Sequence, residues 1–450
     1  MQKIIPVILA GGFSTRLWPL SSKIPKQFNT DIYNPTLFQQ AYNLVDDEIF
    51  SPPVIIVNQQ HKHLLPNIKF SSIIIEPSAQ NTSPAILSAT LLIQKQHGNN
   101  TIILVLSSDH IIPEKEKFIK SIKDSIIHTD KNIILFGTKP KHAETGYGYI
   151  FTKNEIKKNI FEISSFTEKP NQIQANLFFS QKNCFWNCGI LLFQANILIQ
   201  SYKNFSLNLY NTIQNILQNT IQTQEAKILS PSYSHIKPTS IDYDILEKIP
   251  NIYLTKMLSN WCDIGSFQSL HTISTKDSNS NSLNGNIHTS ETKNCLIINK
   301  NPNSYISTIG ITNTAIINTE SNLLICDLQN TQKIKNIPQI AFTSKVIRKW
   351  GSYEVIKEET NLKIKKLIIN PQQSISLQSH KFRNENWFIT QGTASVIKDN
   401  NQYQLEIGDS IFIPKNTKHQ ISNKTNKTLH IIEIQTGEYF GEDDIERYSQ

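Results

Sequence analysis

Two acids end apolar runs far apart in the chain. Asp109 closes Leu104-Val105-Leu106-Ser107-Ser108-Asp109-His110, and Asp263 sits in Trp261-Cys262-Asp263-Ile264-Gly265-Ser266. Paired carboxylates at strand ends suit a divalent metal riding on phosphates, because hard Mg²⁺ prefers oxygen ligands. Either Asp alone is more simply a helix cap or turn residue. A third feature strengthens the pair: the apolar run Ile4 to Leu9 leads into Ala10-Gly11-Gly12-Phe13-Ser14-Thr15-Arg16, with Pro25-Lys26-Gln27 close behind. Small residues after a strand let backbone N–H groups reach phosphate oxygens, while Arg16 and Lys26 supply charge. Neither a Walker loop nor a dinucleotide fingerprint is present. Gly-Gly by itself reads as an ordinary strand-to-helix turn, so the expectation of a bound nucleotide rests on the whole set.

The last quarter carries a second set, Gln378-x-His380-x4-Glu385-x6-Gly392 followed by Gly408-x5-Pro414-x4-His419-x3-Asn423. Two residues on one strand, an acid on the next and a second His after a return hairpin can converge on one metal inside a small barrel. A lone His on a strand would carry no such implication. His61-x-His63, beside Lys62, reads as a solvated polar stretch, and the pair Cys184 and Cys188 as packing residues without zinc-ribbon spacing.

These residues need elements to hold them. Ile4–Leu9, Val54–Val57, Ile73–Ile75, Ile102–Leu106 and Ile133–Phe136 are near-continuous β-branched or aliphatic runs, the pattern of strands buried on both faces. Pro84–Gln94 and Glu114–Ile127 carry helical spacing between them. The layout is a doubly wound α/β domain over residues 1–275, whose ligands bind beyond the carboxyl ends of the strands. Short β runs separated by Asn, Ser and Thr then fill 281–335 (Cys295–Ile298, Tyr305–Thr308, Thr314–Ile317, Leu323–Cys326) and suggest a small β-helix or β linker with edges that could pair with a second copy. Hairpin-like strands over 346–450 predict an all-β barrel.

The chain has 450 residues, enough for two or three domains, and 38% apolar residues. Its formal charge of +8 is scattered, which argues against a nucleic-acid surface and fits small anionic ligands. No stretch is long enough to span a bilayer. The 5 cysteines are spread out, as expected of reduced thiols in a cytosol. Abundant Ile, Asn and Lys read as a compositional bias at surface positions.

The segments Ala10–Ser21, Pro25–Phe28, Glu76–Ala85 (E-P-S-A-Q-N-T-S-P-A), Glu144–Ile150 (E-T-G-Y-G-Y-I), Phe166–Pro170 (F-T-E-K-P), Trp186–Ile190 (W-N-C-G-I) and Ser240–Lys248 resemble, in order, the bacterial mannose-1-phosphate guanylyltransferase family. The resemblance implies a GT-A-like, Rossmann-type nucleotidyltransferase that makes GDP-mannose and diphosphate from GTP and mannose 1-phosphate, for surface polysaccharide assembly. It implies that Gly11, Gly12, Ser14, Thr15 and Asn81 meet the nucleotide, with Arg16 and Lys26 on the triphosphate. Asp109 and Asp263 would carry Mg²⁺. Glu144, Gly146, Glu168, Lys169 and Asn187 would face the mannose 1-phosphate, Lys169 nearest its phosphate. Ser376–Trp387, with Arg348–Tyr353 and Glu433–Arg447, is similar to the cupin domain of type II phosphomannose isomerases. That likeness implies a Zn²⁺-type divalent site of Gln378, His380, Glu385 and His419 interconverting fructose 6-phosphate and mannose 6-phosphate; the alternative is a cupin that only binds sugar phosphate or mediates assembly.

The departures are specific. Ser14 stands where the family has Gly, at a cost of about 1 kcal/mol if the position needs positive φ. Ala79-Gln80 replaces Gly-Arg and removes a cation. In the cupin, Asn386 replaces His, Lys349 replaces Pro, and the Tyr-Gly-Arg tail common in the family is not found at the end of the sequence, leaving Lys365, Arg383 and Arg447 as phosphate or acid–base candidates.

Overall fold

The computed structural model describes residues 3–22, 24–223, 226–250, 252–337, 346–399 and 401–448, and the chain divides into two compact units, Met1–Lys335 and Asn336–Gln450. In the first unit the strands up to the linker are β1 (Ile5–Leu9), β2 (Val54–Asn58), β3 (Ser72–Glu76), β4 (Ile102–Ser107), β5 (His110–Ile111), β6 (Ile133–Thr138), β7 (Tyr149–Lys157), β8 (Ile160–Thr167), β9 (Cys184–Gln194), β10 (Ile221–Gln222), β11 (Ala226–Ile228), β12 (Ile252–Lys256) and β13 (Cys262–Asp263). The helices are α1 (Leu37–Leu44), α2 (Thr82–His97), α3 (Lys115–Ser125), α4 (Gln172–Phe179), α5 (Ala195–Phe205), α6 (Leu207–Gln218) and α7 (Phe267–Ile273).

One sheet runs β10-β11-β3-β2-β1-β4-β9-β6-β12-β8-β7. Its β11-β3-β2-β1-β4 part is parallel. Alternate residues of β1 and of the position just before it serve two cores: Ile5 and Val7 pack with α2, α5 and α6, while Ile4, which precedes the strand, and Ile8 pack with α1 and α3. Burial on both faces is why these strands read as unbroken apolar runs. The long strand β9 inserts antiparallel between β4 and β6. The strand order reverses beside β1, and the loops after β1 and β4 open at that switch point, where α/β sheets bind ligands. A small antiparallel ladder, β5 with β13, pairs His110 with Asp263. That ladder brings the two acids of the sequence together.

The linker strands β14 (Ser282–Asn284), β15 (Ile287–Ser290), β16 (Leu296–Asn299), β17 (Ile306–Ile309) and β18 (Thr314–Asn318) stack in parallel coils, and β19 (Leu323–Asp327) closes them antiparallel. Here the abundant Asn shapes the fold, contrary to its reading as surface composition. Asn294 and Asn313 both take left-handed turns, and Asn294 Nδ2 donates to Asn313 Oδ1 at 2.6 Å. Buried Asn299 accepts from Asn318 Nδ2 at 3.0 Å. Asn tolerates positive φ better than other non-glycine residues, so it suits a repeated turn.

The second unit holds β20 (Val346–Arg348), β21 (Gly351–Glu359), β22 (Leu362–Ile369), β23 (Gln378–His380), β24 (Arg383–Gln391), β25 (Ala394–Lys398), β26 (Asn401–Leu405), β27 (Ser410–Ile413), β28 (His419–Ser422), β29 (Leu429–Gly437) and β30 (Ile445–Arg447). They form two sheets, β20-β21-β22-β29-β24-β27 and β26-β25-β28-β23-β30. Ile369, Trp387, Ile389, Val396, Ile421 and Ile431 fill the core between them. Among the described residues no helix is long and apolar enough to cross a membrane.

Candidate functional sites

A cavity of about 470 Å³ opens at the carboxyl ends of β1, β3 and β4, lined by Gly11, Gly12, Ser14, Thr15, Arg16, Lys26, Asn81, Asp109, Lys169 and Asp263 among others. Positions expected to meet the nucleotide and the metal thus line one cavity together with Lys169, the residue expected nearest the sugar phosphate. Lys26 Nζ stands 2.7 Å from Asp109 Oδ2 and 3.6 Å from Asp263 Oδ1, and donates to Ile264 O at 2.7 Å. Burial alone would lower the Lys26 pKa, yet the two carboxylates outweigh it and hold the ammonium above its ordinary value. Burial opposes ionisation of Asp109 as well, but Lys26, His110 and the Ser107 hydroxyl hold its carboxyl far below the usual range. Ligand atoms of Asp109, His110 and Asp263 lie within 4.8 Å of one another. Asp263 Oδ1 is buried without a hydrogen bond. Two carboxylates with an orphaned oxygen between them fit a hard divalent cation.

Ser14 does adopt the left-handed conformation, φ 60°. Its hydroxyl accepts from Lys26 N at 3.0 Å and donates to Gln27 Oε1 at 3.3 Å, and Gln27 Nε2 donates to Ala10 O and Gly12 O at 3.0 and 2.9 Å. Those bonds tie the glycine loop to the Lys26 turn and offset the strain, which explains how serine stands there. Gln80 does not reach for phosphate. Its Nε2 donates to Ser78 Oγ and Ser234 O at 2.8 and 3.0 Å, bracing the loop after β3. Asn81, with φ 69°, caps α2 through Thr82 N.

The expected sugar-phosphate residues divide. Lys169 lines the first cavity and pairs with Glu168 at 2.8 Å; burial would lower its pKa, and Glu168 and Asp242 raise it above the ordinary value. Asn187 donates to Asp242 Oδ1 at 3.1 Å. Burial, reinforced by the charge of Glu168, pushes the Asp242 carboxyl up to about 7. Asp242 belongs to the Ser240–Lys248 motif, but the motif alone assigns it no role. Glu144 lines a neighbouring cavity of about 370 Å³ with Tyr147, Trp186, Trp261 and Gln332, and its Oε1 accepts from Gly146 N at 2.8 Å. Burial works against the Glu144 charge, while bonds from His142 and Gly146 keep its pKa low. Asp263 and Gly265 line both cavities. Gln332, which no motif marks, accepts from Arg16 Nη1 at 2.9 Å.

In the second unit a cavity of about 680 Å³ is lined by Gln378, Arg383, Glu385, Lys349, Lys365, Glu433 and Arg447 among others. His380 Nε2 lies 3.1 Å from Glu385 Oε1, and His419 Nε2 lies 3.6 Å from Glu385 Oε2. Gln378 pairs in register with His419, and its Nε2 lies 3.4 Å from His380 Nε2. The four expected ligands therefore meet. His419 Nδ1 is bound to Thr417 O at 2.9 Å, which fixes that nitrogen as the donor and leaves Nε2 as a lone pair. Both His419 Nε2 and Glu385 Oε2 are buried without hydrogen-bond partners, and two facing acceptors fit a divalent cation between them. Burial opposes the Glu385 charge, but His380, His419 and Arg383 hold its pKa far below the ordinary value. Arg383, a candidate phosphate residue, is instead committed to Glu385 at 3.2 Å and Asp444 at 3.3 Å. Lys365 lies 3.4 Å from Glu433. Burial, then Glu385, pushes the Glu433 pKa up. Asn386 alternates to the opposite face of β24 from Glu385 and Trp387, so the change from His there takes nothing from the ligand set. Lys349 adds a cation to the cavity wall.

The nucleotidyl transferase family model matches residues 5–280, the MannoseP isomerase/GMP-like beta-helix domain 285–339, and the mannose-6-phosphate isomerase C-terminal domain 335–450. A mannose-1-phosphate guanylyltransferase of Salmonella muenchen is 33% identical over 466 residues, covering 99% of this chain and 98% of its own length. Alginate biosynthesis protein AlgA of Pseudomonas syringae pv. tomato is 31% identical, covering 99% and 96%. A solved structure titled mannose-1-phosphate geranyltransferase, from Thermus thermophilus, shares the fold with a TM-score of 0.63 at 19% identity, covering 75% of this chain and 98% of its own.

Proposed function

The chain belongs to the mannose-1-phosphate guanylyltransferase family, and from that premise we propose that it uses GTP and mannose 1-phosphate with Mg²⁺ to form GDP-mannose and diphosphate. The observation that carries the reading is the convergence of Lys26, Asp109 and Asp263 beside the glycine loop in one cavity. A phosphate oxygen of mannose 1-phosphate attacks the α-phosphorus of GTP in line, a new P–O bond forms, and the bond to diphosphate breaks. Gly11 and Gly12 admit the nucleotide closely, Arg16 and Lys26 neutralise the triphosphate, and Lys169 holds the sugar phosphate. Glu144, Gly146, Glu168 and Asn187 orient the sugar. Held by Asp109 and Asp263, Mg²⁺ would neutralise charge on the reacting phosphates. No covalent enzyme intermediate is needed; positioning and charge do the work.

For the second unit we infer mannose-6-phosphate isomerase activity, supported by the orphaned His419 Nε2 and Glu385 Oε2 in a unit whose cavity also presents Lys349, Lys365 and Arg447. A zinc-type ion held by Gln378, His380, Glu385 and His419 would acidify the substrate C–H next to the carbonyl. The test is product formation by purified protein with Mg²⁺, GTP and either mannose 1-phosphate or fructose 6-phosphate plus a separate phosphomannomutase. GDP-mannose from both supports a bifunctional enzyme, and from mannose 1-phosphate alone a cupin that only binds. Product from neither overturns both readings.

A further inference from the structure

We propose that Glu433 is the general base of the second unit, its carboxylate taking a proton from C1 of open-chain fructose 6-phosphate and returning it at C2; the inference rests on the isomerase reading above. Glu433 and Gln435 share a face of β29 with the core residues Leu429 and Ile431, and Glu385 shares a face of β24 with Trp387 and Ile389. Both carboxylates therefore point into the barrel and line its cavity. Register sets Glu433 across from Trp387 on one side and Lys365 on the other, one alternation away from the pair Glu385 and Gln435. Glu433 is 5% exposed. Its Oε2 accepts from Trp387 Nε1 at 3.0 Å and its Oε1 from Gln435 Nε2 at 2.8 Å, with Lys365 Nζ 3.4 Å from Oε1. One donor on each oxygen fixes the plane of the carboxylate, and Oε2 keeps a second lone pair. Burial, then the charge of Glu385, raises the Glu433 pKa against the opposing effects of Lys365 and the Trp387 bond, which makes it a stronger base than an ordinary carboxylate.

Depth in the cavity orients the substrate. Lys349 and Arg447 line it from exposed positions, whereas Glu433, Gln435 and Glu385 line it from buried ones. A sugar phosphate entering this cavity meets cations at the rim with its phosphate, and the far end of its carbon chain, C1 and C2, reaches the carboxylates on the floor. A second feature marks the floor as the reacting end: Gln435 Oε1 is buried without a donor, while the bonds of its Nε2 to Glu385 Oε1 at 3.0 Å and to Glu433 fix the amide. An acceptor orphaned in a cavity wall is costly unless the ligand brings a donor, and the O1 hydroxyl supplies one beside the C–H that Glu433 takes. As the proton leaves C1, the C–H electrons form the C1=C2 double bond and the carbonyl electrons move to O2, giving an enediolate. The O1 proton then passes to O2, the C1=O1 carbonyl forms, and Glu433 delivers its proton to C2. The product is open-chain mannose 6-phosphate, and Glu433 ends as the carboxylate it began.

Isomerisation by the zinc-loaded full chain in heavy water, with deuterium followed in both sugar phosphates, tests this on the parent and on Glu433→Gln. The variant should lose roughly 10²- to 10⁴-fold in kcat. Its zinc content by elemental analysis and its affinity for mannose 6-phosphate by calorimetry should stay within about threefold of the parent's. Deuterium should enter C1 of fructose 6-phosphate with the parent and not with the variant. A kcat within about threefold of the parent's would overturn the role, as would loss of zinc or of sugar-phosphate binding in parallel with activity, which marks a structural carboxylate. If Glu433→Gln does not fold, Glu433→Asp carries the test: withdrawing the carboxylate by one methylene should lower kcat roughly 10- to 100-fold at unchanged zinc content, and an unchanged kcat counts against the proposal. The parent separates the two readings. If it exchanges the C1 hydrogen without forming mannose 6-phosphate, and Glu433→Gln abolishes that exchange, the isomerase reading falls and Glu433 stands as the base. Isomerisation by parent and variant alike keeps the isomerase reading and overturns Glu433, and a parent that neither exchanges nor isomerises overturns both.

Discussion

Gln332 Oε1 accepts a hydrogen bond from Arg16 Nη1 at 2.9 Å, joining residues 316 positions apart. Gln332 lies in the short 3-10 stretch Leu328–Asn336 that follows the β-helix coils, and a Cβ on Gly146 would stand 3.4 Å from its Nε2. The stretch after the β-helix thereby touches the arginine assigned to the triphosphate and lies beside the loop assigned to the sugar. Gln332→Ala leaves Arg16 to be ordered by the nucleotide alone. A charge-assisted bond contributes ~1.5–3 kcal/mol when sealed from water, and Arg16 is half-buried, so KM for GTP should rise about 3- to 10-fold with kcat within about twofold. Steady-state kinetics at varied GTP decides it; an unchanged KM would mean that Arg16 finds its place without Gln332.

Lys26 sits where a cation belongs, between Asp109 and Asp263. Lys26→Met would leave two close carboxylates facing each other. Breaking a buried pair costs roughly 3–5 kcal/mol, and partial exposure of about a fifth at each Asp reduces this to about 1–3 kcal/mol. The variant should melt lower than the parent in EDTA and regain most of the loss in millimolar Mg²⁺, whereas the parent should respond little. Asp263→Asn should abolish turnover with the melting temperature kept, and retained turnover would remove Asp263 from the metal site.

What was legible in the sequence follows from which forces are local. β1 to β4 and β6 declare themselves because a strand buried on both faces must be apolar at every position. β9 is hidden because Asn187 and Gly189 interrupt its apolar run. Asp109 and Asp263 can be singled out because polar residues directly after apolar runs lie at strand ends. Their pairing with Lys26 cannot, since the β5–β13 ladder that brings them together is only two residues long on each side. Gln378, His380, Glu385 and His419 are readable from strand alternation plus spacing. Arg383 reads as free in the sequence because Asp444, which holds it, arrives from a distant turn. Gln80, Tyr233 and Gln332 act through single long-range hydrogen bonds, and no local pattern encodes those.

Glu76 makes the first unit sensitive to pH in a defined direction. Its carboxyl titrates near 7 in the folded chain against an ordinary 4.5, and Tyr233 is the titratable group that touches it. Between those values the folded chain holds a proton that the unfolded chain has released, so this residue's contribution to stability falls as pH rises from about 4.5 to about 7. The full swing is roughly 3 kcal/mol. Glu76→Gln lacks the titration. Denaturant unfolding of both proteins at about pH 5 and about pH 8, on either side of the folded value, should show the variant gaining on the parent at the higher pH. A difference independent of pH would contradict the raised value.

His380→Ala probes whether the cupin site works by itself. The substitution removes a neighbour of Glu385 Oε1 at 3.1 Å and leaves Arg383 to balance the carboxylate, so the barrel should still fold. Bound zinc, measured by elemental analysis after reconstitution and desalting, should fall from stoichiometric in the parent to trace in the variant, because the remaining donors cannot complete a closed site. Product made from fructose 6-phosphate through added phosphomannomutase should vanish with it. Product made from mannose 1-phosphate should stay within about twofold, as expected for independent sites. Unchanged zinc binding would remove His380 from the metal site, and joint loss of both routes with circular dichroism intact would show that the two activities depend on each other.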